Sequence, residues 1–209
     1  MHFKHLPFLI IISSPSGAGK STLCKMIVQN DQDIKLSISA TTRKQRPGEI
    51  EGQHYFFISK EKYDQMIKED QFLEYALIFE NYYGTPKKMV NDELKNNCDV
   101  LFDIDWQGAR QLSEKFGKED ILTIFILPPS MSELHNRLKT RAQDKEEEVL
   151  KRMEKARDEV SHYDEYDFIL VNDNLEKTYQ KIRKIISAYR IKRMNKEDVK
   201  LFITKLLEE

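Results

Sequence analysis

The string Ser14-Pro15-Ser16-Gly17-Ala18-Gly19-Lys20-Ser21-Thr22 places a lysine between flexible glycines and a pair of hydroxyls, which is chemistry for binding phosphate. It fits the pattern G-x-x-x-x-G-K-[ST] except at its first position, where Ser14 stands in place of glycine. Glycines let successive backbone N–H groups turn inward around phosphate oxygens, and a helix starting near Lys20 adds its positive dipole end. Lys20 then reaches the β and γ phosphates of a nucleoside triphosphate, and Ser21 offers a hydroxyl to Mg²⁺. Serine at position 14 predicts a negative φ there, because a positive φ would cost a non-glycine residue roughly 1–2 kcal/mol.

Asp103 and Asp105 close the apolar run Val100-Leu101-Phe102-Asp103-Ile104-Asp105. Carboxylates at the end of a parallel strand sit at the sheet edge where ligands of α/β folds bind, so one of them is expected to sense Mg²⁺, directly or through water, or a bound nucleotide. A second anion site is suggested by Thr41-Thr42-Arg43-Lys44-Gln45-Arg46-Pro47-Gly48, where two guanidinium groups share one turn and match phosphate oxygens bidentately. Tyr55 and Tyr83 can add phenol donors. Glu74 lies on an otherwise apolar strand, where an ionisable group calls for a reason.

These residues need a frame. Continuous apolar runs at 8–12, 100–104, 121–127 and 168–171 read as parallel strands covered on both faces. Helical faces are marked by Leu23, Met26 and Ile27, by Leu112 with Phe116, by Leu134 with Leu138, and by Ile182, Ile185, Ile186 and Tyr189. The alternation predicts βαβ units around a central parallel sheet. Residues 37–86 break the rhythm as a β-rich insert, with strands at 55–58 and 72–79, a short helix near 61–68, and a turn at Asn81-Tyr82-Tyr83-Gly84. Residues 128–164 are helical and highly charged, with i,i+4 pairs Glu147–Lys151 and Glu148–Arg152, as in a solvated helix pair or a mobile lid. The tail from 194 onward reads as a peripheral helix.

The chain has 209 residues and a formal net charge of -1, so no global basic field recruits nucleic acid and any anion site must be built locally. Two cysteines, Cys24 and Cys98, give neither a disulfide framework nor a zinc pattern and suit a reducing cytoplasm. The apolar stretch at 6–12 runs straight into the glycine-rich loop without a cleavage-site pattern, so it is expected to be a buried strand, not a leader or membrane span.

Taken in order, these motifs resemble the guanylate kinase family, bacterial type, over residues 7–189. The resemblance rests on Ser13-Ser14-Pro15-Ser16-Gly17-Ala18-Gly19-Lys20-Ser21-Thr22, Ser39-Ala40-Thr41-Thr42-Arg43 with Arg46-Pro47-Gly48-Glu49, Gly52-Gln53-His54-Tyr55-Phe56-Phe57, Asn81-Tyr82-Tyr83-Gly84-Thr85, Asp103-Ile104-Asp105-Trp106-Gln107-Gly108, Leu127-Pro128-Pro129-Ser130 and Val171-Asn172-Asp173. It implies an α/β fold: a P-loop NTPase core (1–36, 87–127, 165–190), a GMP-binding insert (37–86), a helical lid (128–164) and a C-terminal tail helix (191–209). By position, Arg43, Arg46, Tyr55 and Tyr83 would hold the GMP phosphate, and Ser39, Glu74, Thr85 and Asp103 would surround guanine. Arg137, Arg141 and Arg152 would approach the triphosphate from the lid, and Asn172 would lie near adenine. The implied partners are ATP and GMP with Mg²⁺; monomer and homo-oligomer stay open.

The chemistry agrees with that implication. Guanine presents N1–H and its 2-amino group as donors on one edge, and one carboxylate accepts both, whereas adenine offers a lone pair at N1. Hydrogen bonds to charged groups are worth about 1.5–3 kcal/mol each, enough for two of them to select GMP over AMP. The expected reaction is in-line transfer of the ATP γ-phosphoryl group to GMP. The alternatives are a guanylate kinase-like module that only binds protein, and a P-loop kinase with another acceptor. The sequence departs from the family at Ser14 and around Arg141, where Lys139-Thr140-Arg141-Ala142-Gln143-Asp144 lacks the glycines common in relatives.

Overall fold

The computed structural model describes residues 4–78, 80–141 and 146–208, leaving aside the side chains of residue 141 and residues 146–148. Five strands form a parallel sheet: β1 (Leu9–Ser13), β2 (Ile34–Leu36), β7 (Asp99–Asp103), β8 (Ile121–Leu127) and β9 (Phe168–Val171), in the order β2-β7-β1-β8-β9. Successive residues of β1 face opposite sides of the sheet. Ile10 and Ile12 pack with Leu23 of α1 (Lys20–Asn30) and Ile182 of α7 (Leu175–Lys192). Leu9 and Ile11 pack with Val90 of α3 (Lys87–Lys95) and Leu112 of α4 (Trp106–Lys115). Burial on both faces explains why β1 reads as an unbroken apolar run.

A second, mixed sheet has the order β4-β3-β6-β5, from β3 (Ala40–Thr41), β4 (Phe56–Phe57), β5 (Phe72–Ile78) and β6 (Asn81–Pro86). Helix α2 (Lys60–Lys68) covers it through Tyr63, which is buried against Ala40 and Phe72. Ser59 caps α2 by accepting the Lys62 N–H. Helix α4 ties the two sheets together. Gln111 exchanges hydrogen bonds with both backbone groups of Tyr75 on β5 (3.1 and 2.7 Å), and Lys115 donates to the Leu73 carbonyl at 2.5 Å.

The expected turn at 81–84 is instead part of β6. Ile78 pairs with Asn81 across a tight hairpin, and Glu80 carries the positive φ (64°) that the reversal requires. Gly84 serves close approach, since a Cβ there would lie 2.9 Å from the Phe72 ring. The four expected strands of the parallel sheet are present within a residue of the boundaries read, while β2, β3 and α3 went unread.

Helices α5 (Met131–Arg141) and α6 (Glu146–Ser161) form a small core of Leu134, Leu138, Val149 and Ala156. Helix α5 rests on the loop after β1: a Cβ on Gly17 would meet Leu134 at 3.0 Å and Leu138 at 3.2 Å. The tail forms α8 (Lys196–Leu207). At the far end of the sheet, Asp99 is fully buried and bonded to His5 (3.0 Å), Arg190 (2.8 Å) and the Phe8 N–H, joining the start of the described chain to α7. No described helix is long and apolar enough to cross a membrane.

Candidate functional site

In the parallel register Ile12 lies beside Asp103, so the loop after β1 and the acidic end of β7 meet at one edge of the sheet. The loop is held open by Gly17 (φ 93°) and Gly19 (φ 101°), conformations that a side chain would strain. Gly19 caps α1, so the first free amides of that helix point to the same place as the loop amides. Ser14 is not among the described residues with positive φ, and its hydroxyl donates to the Pro15 carbonyl at 2.9 Å. Serine at the first loop position is therefore unstrained.

One cleft gathers the loop residues Ser14, Pro15, Ser16, Gly17, Gly19, Lys20 and Ser21 on one side and Ser39, Tyr55, Glu74 and Tyr83 of the second sheet on the other. Asp103 and Asp105 line its floor. Lys20 forms an ion pair with Asp103 and donates to the Ile104 carbonyl at 3.2 Å. Burial works against the Lys20 charge, but the attraction and hydrogen bond of Asp103 outweigh it and hold the ammonium above its ordinary pKa.

Glu74 is the unusual group of the opposite wall. It is 3% exposed, and its Oε1 accepts the Thr85 hydroxyl at 2.5 Å. Thr85 in turn meets the Ser39 hydroxyl at 3.3 Å. Burial pushes the Glu74 carboxyl up to about 7; the Thr85 bond opposes the shift, and the nearby Asp105 charge adds to it. The group is poised between neutral and ionised at physiological pH.

Arg43 is oriented by Glu49 (Nη2 to Oε1, 2.7 Å) and the Lys44 carbonyl (2.7 Å), and its guanidinium lies 5.4 Å from the centre of the Tyr55 ring. Tyr55 and Tyr83 meet edge to face with ring centres 5.9 Å apart. The Arg46 N–H donates to the other oxygen of Glu49 at 2.7 Å, and its side chain is exposed. Neither arginine lines the cleft, although both stand on the segment leading into it.

A second cleft adjoins the loop from behind and brings together Gly17, Gly19, Thr22, Arg137, Asn172 and Asp173. Arg137 is held by Glu133 of its own helix at 2.8 Å. Asn172 is buried and donates to the Ala18 carbonyl at 2.7 Å, so it fastens the loop to the end of β9. Ala18 itself is fully buried. Arg152 is half-buried on α6 and lines neither cleft, and the Arg141 side chain lies outside the described residues.

The sequence reading missed Glu159. This α6 carboxylate is 7% exposed, lines the first cleft and accepts the Ser16 N–H of the loop after β1 at 3.2 Å. Burial raises its pKa, against the pull of Lys155, the Ser16 bond and Lys20. Its partner lies far away in sequence, and no local pattern announces the contact.

Among the described residues no group of three or more His, Cys, Asp and Glu could hold a metal alone. Ser21, Asp103 and Asp105 are nonetheless hard oxygen donors around one cleft, a set too small to cage a cation but suited to Mg²⁺ shared with substrate phosphates.

Comparison with known proteins gives a consistent picture. The guanylate kinase family profile matches residues 7–189. The chain is 48% identical over 198 residues to the guanylate kinase of Rhodospirillum rubrum, covering 95% of this chain and 90% of that one. It is 49% identical over 192 residues to that of Rickettsia felis, covering 92% and 99%. The crystal structure of guanylate kinase from Anaplasma phagocytophilum superposes with a TM-score of 0.76 at 33% identity, covering 90% of this chain and 89% of that one.

Proposed function

The chain belongs to the guanylate kinase family and is a guanylate kinase, and from that premise we propose how its cleft divides the work: the loop around Lys20 holds ATP, and the second sheet holds GMP. The observation that carries this reading is Glu74, a buried carboxylate facing the phosphate loop across one cleft. Its ionised form accepts guanine N1–H and the 2-amino group, with Thr85 and Ser39 fixing its orientation. Arg43 and Arg46, with Tyr55 and Tyr83, take the GMP phosphate, Glu49 keeping Arg43 aimed until a phosphate replaces it. Asn172 and Thr22 border the region of the ATP nucleoside, and Arg137, Arg141 and Arg152 approach the triphosphate from the lid.

The reaction breaks the bond between the β–γ bridging oxygen and the γ phosphorus, and forms a bond from a GMP phosphate oxygen to that phosphorus, giving ADP and GDP. The attacking oxygen is already anionic, so no side chain need remove a proton. Catalysis is then alignment and charge neutralisation, in which Lys20 follows charge onto the departing oxygens. Mg²⁺, held with the phosphates through Ser21 and through Asp103 or Asp105 by way of water, would supply further neutralisation of phosphate charge. Residues 37–86 act as the GMP-binding insert and 128–164 as a lid on the core, closure excluding the water that would otherwise take the phosphoryl group. Two unpaired thiols, Cys24 and Cys98, support a cytoplasmic setting.

The test is ADP release from ATP in the presence of GMP, AMP, CMP or UMP, with Mg²⁺ or with EDTA. Turnover with GMP and Mg²⁺ alone is expected. Equal turnover with AMP would overturn the assignment of the acceptor base, and undiminished turnover in EDTA would overturn the role of the cation.

A further inference from the structure

Gly108 has no backbone reason to be glycine. It lies in the first turn of α4, it is not among the glycines of positive φ, and its N–H makes an ordinary capping bond to Asp105 Oδ1 at 3.2 Å. Glycine is also among the poorest residues for a helix. What is special is the space around it. A Cβ at this position would lie 2.6 Å from Glu74 Oε2, 3.2 Å from its Cδ and 3.2 Å from Ile104 Cδ1. A Cβ–oxygen approach of 2.6 Å is far inside contact distance.

We propose that Gly108 is a positioning residue for the acceptor base: the space left by its missing side chain is where the Glu74 carboxylate sits. The inference rests on the assignment of Glu74 to the guanine edge. The carboxylate is confined from two directions. On one side Thr85, fully buried and bonded to Ser39, holds Oε1 at 2.5 Å. On the other, Gly108 lets the backbone of α4 come up against Oε2. Helix α4 cannot easily retreat, because Gln111 and Lys115 bind it to β5, the strand that carries Glu74. The cheapest relief of an added methyl group is therefore rotation of the carboxylate itself. That motion leaves the fold intact and spoils the group that reads guanine.

The experiment compares wild type, Gly108→Ala, Glu74→Ala and the double variant, measuring the KM for GMP, the KM for ATP, kcat and the melting temperature. Gly108→Ala is expected to raise the GMP KM about ten- to a hundredfold, as for one lost hydrogen bond to a charged group, while the ATP KM stays within about twofold. In the Glu74→Ala background, where no carboxylate remains to be displaced, the same substitution is expected to add nothing to the GMP KM. An unchanged GMP KM in Gly108→Ala, beside a raised one in Glu74→Ala, overturns the role of Gly108 alone. An unchanged GMP KM in Glu74→Ala overturns the guanine assignment, and the inference with it. Equal rises in both backgrounds show that the methyl group acts through α4 and not through Glu74, which also overturns the inference. Should Gly108→Ala fail to fold, a normal melt of the double variant supports the same contact, and failure of both overturns it.

Discussion

Replacing Glu74 with glutamine removes a charge that the folded protein holds at a cost. Glu74 ionises near 7 in the fold against an ordinary 4.5. Between those values the folded chain carries a proton that the unfolded chain has lost, so stability falls as pH rises from about 4.5 to about 7 and stays lower above. At roughly 1.4 kcal/mol per pKa unit, the ionised carboxylate costs on the order of 3 kcal/mol at pH 8. Glu74→Gln keeps the shape and an acceptor for Thr85, so it should melt higher than wild type by about 6–12 °C at pH 8 and by much less at pH 5. Activity should move the other way. Loss of the charge-assisted bonds to guanine lowers kcat/KM for GMP about a hundredfold at pH 8, with a far smaller change in the KM for ATP. In wild type, kcat/KM for GMP should rise with pH through about 7. The variant should lose that limb and keep only the one set by the GMP phosphate, whose second pKa lies near 6. Melting curves at two pH values and initial rates across pH 5.5–8.5 measure both effects. A variant with unchanged kcat/KM for GMP, or one that keeps the limb near 7, would refute the reasoning.

Other substitutions probe the parts separately. Gly19→Ala forces a side chain onto φ 101° and against Asn172 Nδ2 at 2.5 Å, so ATP affinity should fall by more than tenfold in calorimetry while GMP still binds. Glu159→Gln should melt higher than wild type at pH 8 and approach it at pH 5, because burial penalises the ionised form; a lower melting temperature at both values would contradict this. Asp99→Asn takes one of two carboxylates from Arg190, which keeps its pair with Asp31 at 2.7 Å, and removes a buried charge whose pKa burial raises, so the melting temperature at pH 8 should stay within about 5 °C of wild type with kcat at 20 °C little changed; a fall of about 10 °C or more would contradict this.

The loop after β1 was legible because its geometry leaves few choices: backbone amides turned inward need glycine, and Gly17 and Gly19 take φ of 93° and 101° there. The core strands were legible because burial on both faces leaves continuous apolar runs such as 121–127. Strand β2 was not, being three residues at a sheet edge with the half-polar sequence Ile34-Lys35-Leu36. Asn81 and Gly84 look like turn residues, but the reversal falls beside Glu80, a residue type that does not announce positive φ, and Gly84 answers to the Phe72 ring. Glu74 drew notice as a carboxylate in an apolar strand. Its neighbour Gly108 entered only as the end of a motif, since a missing side chain does not show which group fills its space. Glu159 meets Ser16 through the packing of α5 and α6 on the core, and Asn172 meets Ala18 through the pairing of β8 with β9. Such contacts are products of topology, and local spacing does not contain them.

The most direct test of the division of labour is paired calorimetry on Lys20→Met and Arg43→Ala, titrating each with ATP and, separately, with GMP. Lys20→Met is predicted to lose ATP affinity and keep GMP affinity, and Arg43→Ala to lose GMP affinity and keep ATP affinity. A reversed pattern, or loss of both nucleotides in a folded variant of either kind, would contradict the account.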